Sequence, residues 1–132
     1  MMMTILILYA LTAAVFLVLD ALMLTLVMKP LFTSHIGSMM ATDMRLGAAA
    51  VFYLAYVGGM VFLVSYPALK SGSSVLLPAA ILGAMAYGTY EFTSYAIMKN
   101  WSPVMVATDV IWGTVLTAFS AWVGVALTRA WA

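Results

Sequence analysis

The sequence predicts an all-α integral membrane protein, an antiparallel four-transmembrane-helix bundle with a short interfacial helix between the first and second spans. Composition is the first reason. Of 132 residues, 67% are hydrophobic and 7% are charged, against roughly 45–50% apolar and 25% charged in a soluble domain. A soluble core of this length cannot hide so much apolar surface, whereas a bilayer removes the need to hide it. The second reason is spacing: the apolar residues fall into four runs, each near the roughly 20 residues that a helix needs to cross hydrocarbon. The third is punctuation, because the charges and Pro/Ser/Gly clusters concentrate between those runs.

The first span is expected over 4–28, ended by Lys29-Pro30, which adds an interfacial charge and removes a helix donor. The second is expected over 46–69, with Thr42 or Asp43 placed to cap it and Pro67 near its end. Lys70-Ser71-Gly72-Ser73-Ser74 makes a polar turn. A third span covers 75–98, with Pro78 in its first turn, where a missing N–H does no harm. A fourth covers 103–128, with Ser102 as N-cap and Pro103 at the first helical position. Short connections make neighbours antiparallel, so 1–132 reads as one membrane domain. Between Lys29 and Arg45, Phe32, Ile36, Met39, Met40 and Met44 recur at helical spacing, which predicts the interfacial helix. Small residues four apart, including Ala79 with Gly83 and Gly113 with Thr117, predict close packing. Gly58, Gly59, Gly83 and Gly88 cannot all face one axis, which predicts a homo-oligomer or another membrane protein as partner.

Met1-Met2-Met3-Thr4 carries no basic segment, and the apolar run that follows outlasts a signal-peptide core, so the first run is expected to be retained as a helix. Lys29, Arg45 and Lys99 lie on one side and Lys70 and Arg129 on the other, a bias that puts both termini outside the cytoplasm. Trp101 and Trp131 are expected at the membrane interface. The net charge of +1, without a Lys/Arg cluster, argues against nucleic acid. The absence of Cys excludes disulfides and thiolate chemistry. No cofactor is implied, and the single His removes multi-histidine oxygenase sites.

Asp20, Glu91 and Asp109 lie inside the apolar runs. An ionised side chain there costs about 2.5 to 3.5 kcal/mol on insertion scales, so such an acid points to a functional site with a partner. At about 1.5 Å per residue all three approach the same leaflet, and the expectation is one inward-facing layer within about 10 to 12 Å. Tyr53 and Tyr56 reach a similar level. Tyr87, Tyr90, Ser94 and Tyr95 surround Glu91 on its helix, and Trp112 shares a face with Asp109. No Lys, Arg or His lies within a run at that depth. The acids are therefore protonated, or bind a cation or amine, or are met by Lys29, Arg45 or Lys99 reaching inward. His35, Met39, Met40 and Met44 form a separate candidate set of soft copper(I) ligands, against the plainer reading of Met as apolar filler.

The string Phe52-Tyr53-x-x-Tyr56-x-x-Gly59-x-x-Phe62, then Pro67-Ala68-Leu69, Gly83-x-x-x-Tyr87-x-Thr89-Tyr90-Glu91-x-Thr93-Ser94-x-Ala96, Trp101 and Asp109-x-x-Trp112-Gly113-Thr114 resembles the bacterial domain-of-unknown-function family 2177. The resemblance covers nearly the whole chain and implies a small four-span inner-membrane protein without assigning an activity. Three positions depart from the family pattern: Glu91 replaces an Asp, Ser94 an Asn, and Met23 a Trp. The acid is kept, with altered reach and hydrogen bonding.

Three functions compete on these residues. The first is a non-enzymatic binding or transport module with an acidic and phenolic site for a cation, a proton or a polar lipid headgroup. The second is an accessory or assembly subunit whose polar layer only locks helices together. The third is a lipid-modifying enzyme using carboxylates for acid–base work.

Overall fold

The computed structural model describes residues 2–40 and 46–131, all in helices and turns with no strand among them. The helices are α1 (Met2–Met23), α2 (Lys29–Ile36), α3 (Leu46–Met60), α4 (Tyr66–Ser71), α5 (Leu76–Ile97) and α6 (Pro103–Trp131). Two π-helical segments, Leu24–Met28 and Val61–Ser65, join α1 to α2 and α3 to α4. The Thr42/Asp43 cap, Met44, Arg45 and the side chain of Met39 lie outside the described residues.

Three continuous helices are long and apolar enough to cross a membrane: Met2–Ile36, Gly47–Ser71 and Pro103–Trp131. Their outward surfaces carry Leu26, Val51, Phe62 and Ile111, all exposed, as hydrocarbon surroundings require. The remaining long helix, α5, has 22 residues but collects Thr89, Tyr90, Glu91, Thr93, Ser94 and Tyr95 in its second half. That polar half distinguishes it from the other three.

The first span does not stop at Lys29-Pro30. A regular helix would drive the Pro30 ring into the carbonyl four residues back and lose a hydrogen bond. Here the backbone widens by one residue just before the proline, and the Lys29 N–H donates to Leu24 O instead. The helix then runs on to Ile36. Pro67 is accommodated in the same way, with the Tyr66 N–H donating to Val61 O. Both π segments end two residues before a proline, so each proline relocates a turn rather than ending a helix. The helix expected between the first two spans is thus α2, continuous with the first span, followed by a 3-10 turn at Gly37–Met39.

The predicted start of α6 is met by a cap: Ser102 Oγ accepts from the Met105 N–H at 3.1 Å. The helix extends to Trp131, three residues past the expected end. At the end of α4, Gly72 adopts φ 74° and its N–H donates to Ala68 O at 2.9 Å, a left-handed closure that glycine accepts without strain. Arg129 clamps the same corner by donating to Ala68 O at 2.9 Å and Ser73 O at 3.1 Å. Arg129→Met is expected to lower unfolding stability by roughly 1 kcal/mol, measured by denaturation in mixed micelles. An unchanged midpoint would count against the clamp.

Close approach between helices depends on glycine at three places. A Cβ on Gly83 would lie 2.5 Å from Gly113 O and 2.8 Å from Thr117 Oγ1, so α5 and α6 meet backbone to backbone there. A Cβ on Gly113 would overlap the Tyr87 ring, and one on Gly124 would overlap Thr12 of α1. Gly58, Gly59 and Gly88 have open space around them. The main core lies among α1, α3 and α6, with Leu8, Phe16, Met60, Leu116 and Val125 buried in it.

Candidate functional site

A cavity of about 470 Å³ lies between α1, α3, α5 and α6, at the end where α1 passes into α2. Asp20 and Asp109 supply its acids, and Tyr53, Tyr56, Tyr87 and Tyr90 its phenols. Lys29 also lines it, as do Leu24 and Met28 of the first π segment. The widened turn therefore shapes one wall. Without it the helix beyond Met28 would present a different face, because one residue of helix is about 100° of rotation.

Each acid has its own surroundings. Asp20 is 7% exposed and accepts from Trp112 Nε1 at 3.1 Å through Oδ1, linking α1 to α6. Glu91 is fully buried and accepts from Trp101 Nε1 at 3.0 Å through Oε1, while its Oε2 has no partner among the described residues. Asp109 is 8% exposed and accepts no N–H or phenol O–H from the described residues. Its carboxyl lies within hydrogen-bond reach of the Glu91 carboxyl and within electrostatic reach of Asp20, so acid faces acid with no N–H between them. Leaving such a buried acceptor without a donor costs about 1 to 3 kcal/mol.

The aromatic side chains form a connected wall. Phe16 packs against Tyr53 and Tyr56 at centroid distances of 5.7 and 5.6 Å, and Tyr56 meets Tyr87 edge to face at 6.2 Å. Phe52 stacks on Tyr56 with an interplanar angle of 12°. Tyr56 is fixed further by a 2.9 Å hydrogen bond with Thr117 Oγ1. The Tyr53 hydroxyl lies beside Asp20. The Tyr87 hydroxyl is buried with no partner among the described residues, although Gly113 seats its ring against α6.

Four residues named from the sequence do not line the cavity. Glu91 and Ser94 are buried, Glu91 beside Asp109, Trp112 reaches across to Asp20, and Tyr95 is 48% exposed on the outer surface. The reason is helical drift: neighbours at i+3 and i+4 share a face only within a turn, and Tyr95 is two turns beyond Tyr87. Trp101 is 7% exposed, covered by Phe32 edge-on at 5.3 Å and Tyr90 at 5.9 Å. Trp131 is exposed.

Lys29, one of the three cations named as able to reach inward, lines the cavity, whereas Phe32 and Phe52 were missed as lining residues, Phe32 because the first helix was expected to end at Lys29-Pro30. His35 is exposed and its Nδ1 engages Leu31 O and Ser34 Oγ, both at 3.0 Å, whereas Met40 lines the cavity and its sulfur accepts from Thr33 Oγ1. The two are thus occupied separately. Among the described residues no three His, Cys, Asp or Glu side chains are grouped to hold a metal ion.

No curated protein and no solved structure matches the chain. The family described as "Predicted membrane protein (DUF2177)" matches residues 5–126. With its apolar helices, and with that match spanning nearly all of its length, the chain belongs to the DUF2177 family of predicted membrane proteins.

Proposed function

We propose that this protein is a non-enzymatic binding or transport module of the bacterial inner membrane, whose acidic and phenolic cavity accepts a cation, a proton or a polar lipid headgroup. The observation that carries the reading is Asp109: a deeply buried carboxyl lines a 470 Å³ cavity with no N–H or phenol donor among the described residues, its hydrogen-bonding neighbour being another acid, Glu91. A polar layer serving only as glue would satisfy its acids within the protein. In this reading α5 also crosses the membrane, completing an antiparallel four-helix bundle with both termini outside the cytoplasm. The short connections and the meeting of Gly83 with Gly113 and Thr117 support that arrangement.

Asp109→Asn in protein extracted with native lipids tests the function. The expected result is unchanged abundance with loss of a co-purifying small molecule or lipid in native mass spectrometry. Reduced abundance, with no bound species in either protein, would contradict it. That outcome would favour an accessory subunit, to which the Asp20–Trp112, Glu91–Trp101 and Tyr56–Thr117 bonds lend themselves as fastenings. The open glycines Gly58, Gly59 and Gly88 would then suit a neighbouring membrane chain or a second copy.

A further inference from the structure

We propose that the cavity takes a protonated alkylamine, an ammonium group with at least one N–H carried on an apolar body. This rests on the reading of the cavity as a binding site and names the chemistry of its ligand. Three features of the wall converge on that group. Asp109 is more than nine-tenths buried and lines the cavity with no N–H or phenol donor among the described residues, its hydrogen-bonding neighbour being the acid Glu91. The neighbouring Asp20 adds a second acid to the wall, with Trp112 on its Oδ1 and the Tyr53 hydroxyl beside it. The buried Tyr87 hydroxyl is likewise unpartnered and can accept an N–H.

The aromatic side chains select the rest of the ligand. Phe52, Tyr56 and Tyr87 present rings around the same space as the acids, and ring faces attract cations, more strongly where water is excluded. They also cover an alkyl or aryl body. A hard metal ion is poorly served: calcium takes six to eight oxygen ligands and magnesium six, whereas this lining is largely apolar and contains two acids. Anions are opposed by those same acids. A quaternary ammonium would use the rings but leave Asp109 and Tyr87 without donors, so an N–H-bearing ammonium is the better match.

Two sources supply such a group, a free lipophilic amine and the headgroup of an aminophospholipid, and Lys29 tells them apart. It is an exposed residue of the cavity lining, and its positive charge opposes a lone cation but would pair with a phosphate next to the ammonium.

Hexylammonium chloride is the probe, with 1-hexanol at equal concentration as the control for partitioning. In neutral maltoside micelles, hexylammonium should raise the unfolding temperature saturably and hexanol should not. Asp109→Asn should weaken the apparent affinity at least tenfold. Tyr87→Phe removes a hydroxyl that bonds nothing among the described residues, so it should fold normally and weaken affinity a few-fold, keeping the test valid if the Asn variant fails to fold. In nanodiscs of mixed phosphatidylethanolamine and phosphatidylcholine, native mass spectrometry reads the source. Selective retention of phosphatidylethanolamine, lost in Lys29→Gln, identifies the lipid. No lipid preference, with tighter hexylammonium binding in Lys29→Gln, identifies a free amine.

Equal responses to hexylammonium and hexanol, or a response that survives both Asp109→Asn and Tyr87→Phe, would overturn the proposal. If hexylammonium fails while Asp109→Asn still strips a co-purifying molecule, the ammonium assignment falls and the binding reading stands.

Discussion

Gly113→Ala is expected to destabilise the protein by roughly 1 to 3 kcal/mol, the cost of forcing an extra methyl into a packed interior. The added Cβ would coincide with the Tyr87 ring, and Gly113 O already lies where α5 approaches most closely at Gly83. Neither neighbour is the free end of a flexible chain, so the ring must swing and the two helices must part. Because Tyr87 also lines the cavity and packs against Tyr56, the same substitution should disturb binding. Denaturation in mixed micelles checks the first effect. The double variant Gly113→Ala/Tyr87→Ala should be more stable than the sum of its single changes predicts, because removing the ring removes the overlap. Strict additivity would mean that Tyr87 does not lie against Gly113.

The second large effect is expected at Glu91. Replacing it with Leu removes the acceptor for Trp101 Nε1 and leaves a buried indole N–H unpaired, at a cost of roughly 1 to 3 kcal/mol. Gln keeps an oxygen for that bond and puts an amide N–H₂ in place of Oε2, which has no partner among the described residues. Glu91→Gln is therefore expected to fold with stability within about 1 kcal/mol of the parent and to retain the ligand response, because Glu91 does not line the cavity and Gln still offers Asp109 a hydrogen-bonding neighbour. Trp101 fluorescence should shift in the Leu variant and stay nearly unchanged in the Gln variant, read against a Trp101→Phe background. A Gln variant that folds but no longer responds to ligand would instead give Glu91 a charge-carrying role.

Much of the helical outline is legible in the sequence because hydrocarbon imposes a length and local chemistry marks the ends. Ser102-Pro103 opens α6 where capping and the fixed proline angle place it. Pro30 misleads for a physical reason: proline forbids a regular turn, and it does not forbid a π turn followed by more helix. From that one difference come the 35-residue first helix and the position of Lys29 on the cavity wall. Depth along each run was enough to name Asp20, Tyr53, Tyr56, Tyr87, Tyr90 and Asp109, which line the cavity. Rotation about each helix was not. Depth alone could not separate Tyr95, on the outside, from Tyr87, or reveal that Trp101 beyond the end of α5 folds back to meet Glu91. Such a contact depends on the turn at Lys99-Asn100, where Asn100 takes φ 67°, a left-handed conformation that asparagine tolerates better than most residues.

The central claim is that the space between Asp109, Tyr53 and Tyr87 is a ligand site rather than a gap in a structural bundle. A crystal structure grown from a lipidic mesophase, with protein purified in its native lipids, tests this most directly. The account predicts density for a non-protein group within hydrogen-bond distance of the Asp109 carboxyl and the Tyr87 hydroxyl, bounded by the aromatic wall. Asp109 hydrogen-bonded to Tyr53 or Tyr87, with the side chains closed over the cavity and no density between them, would contradict it.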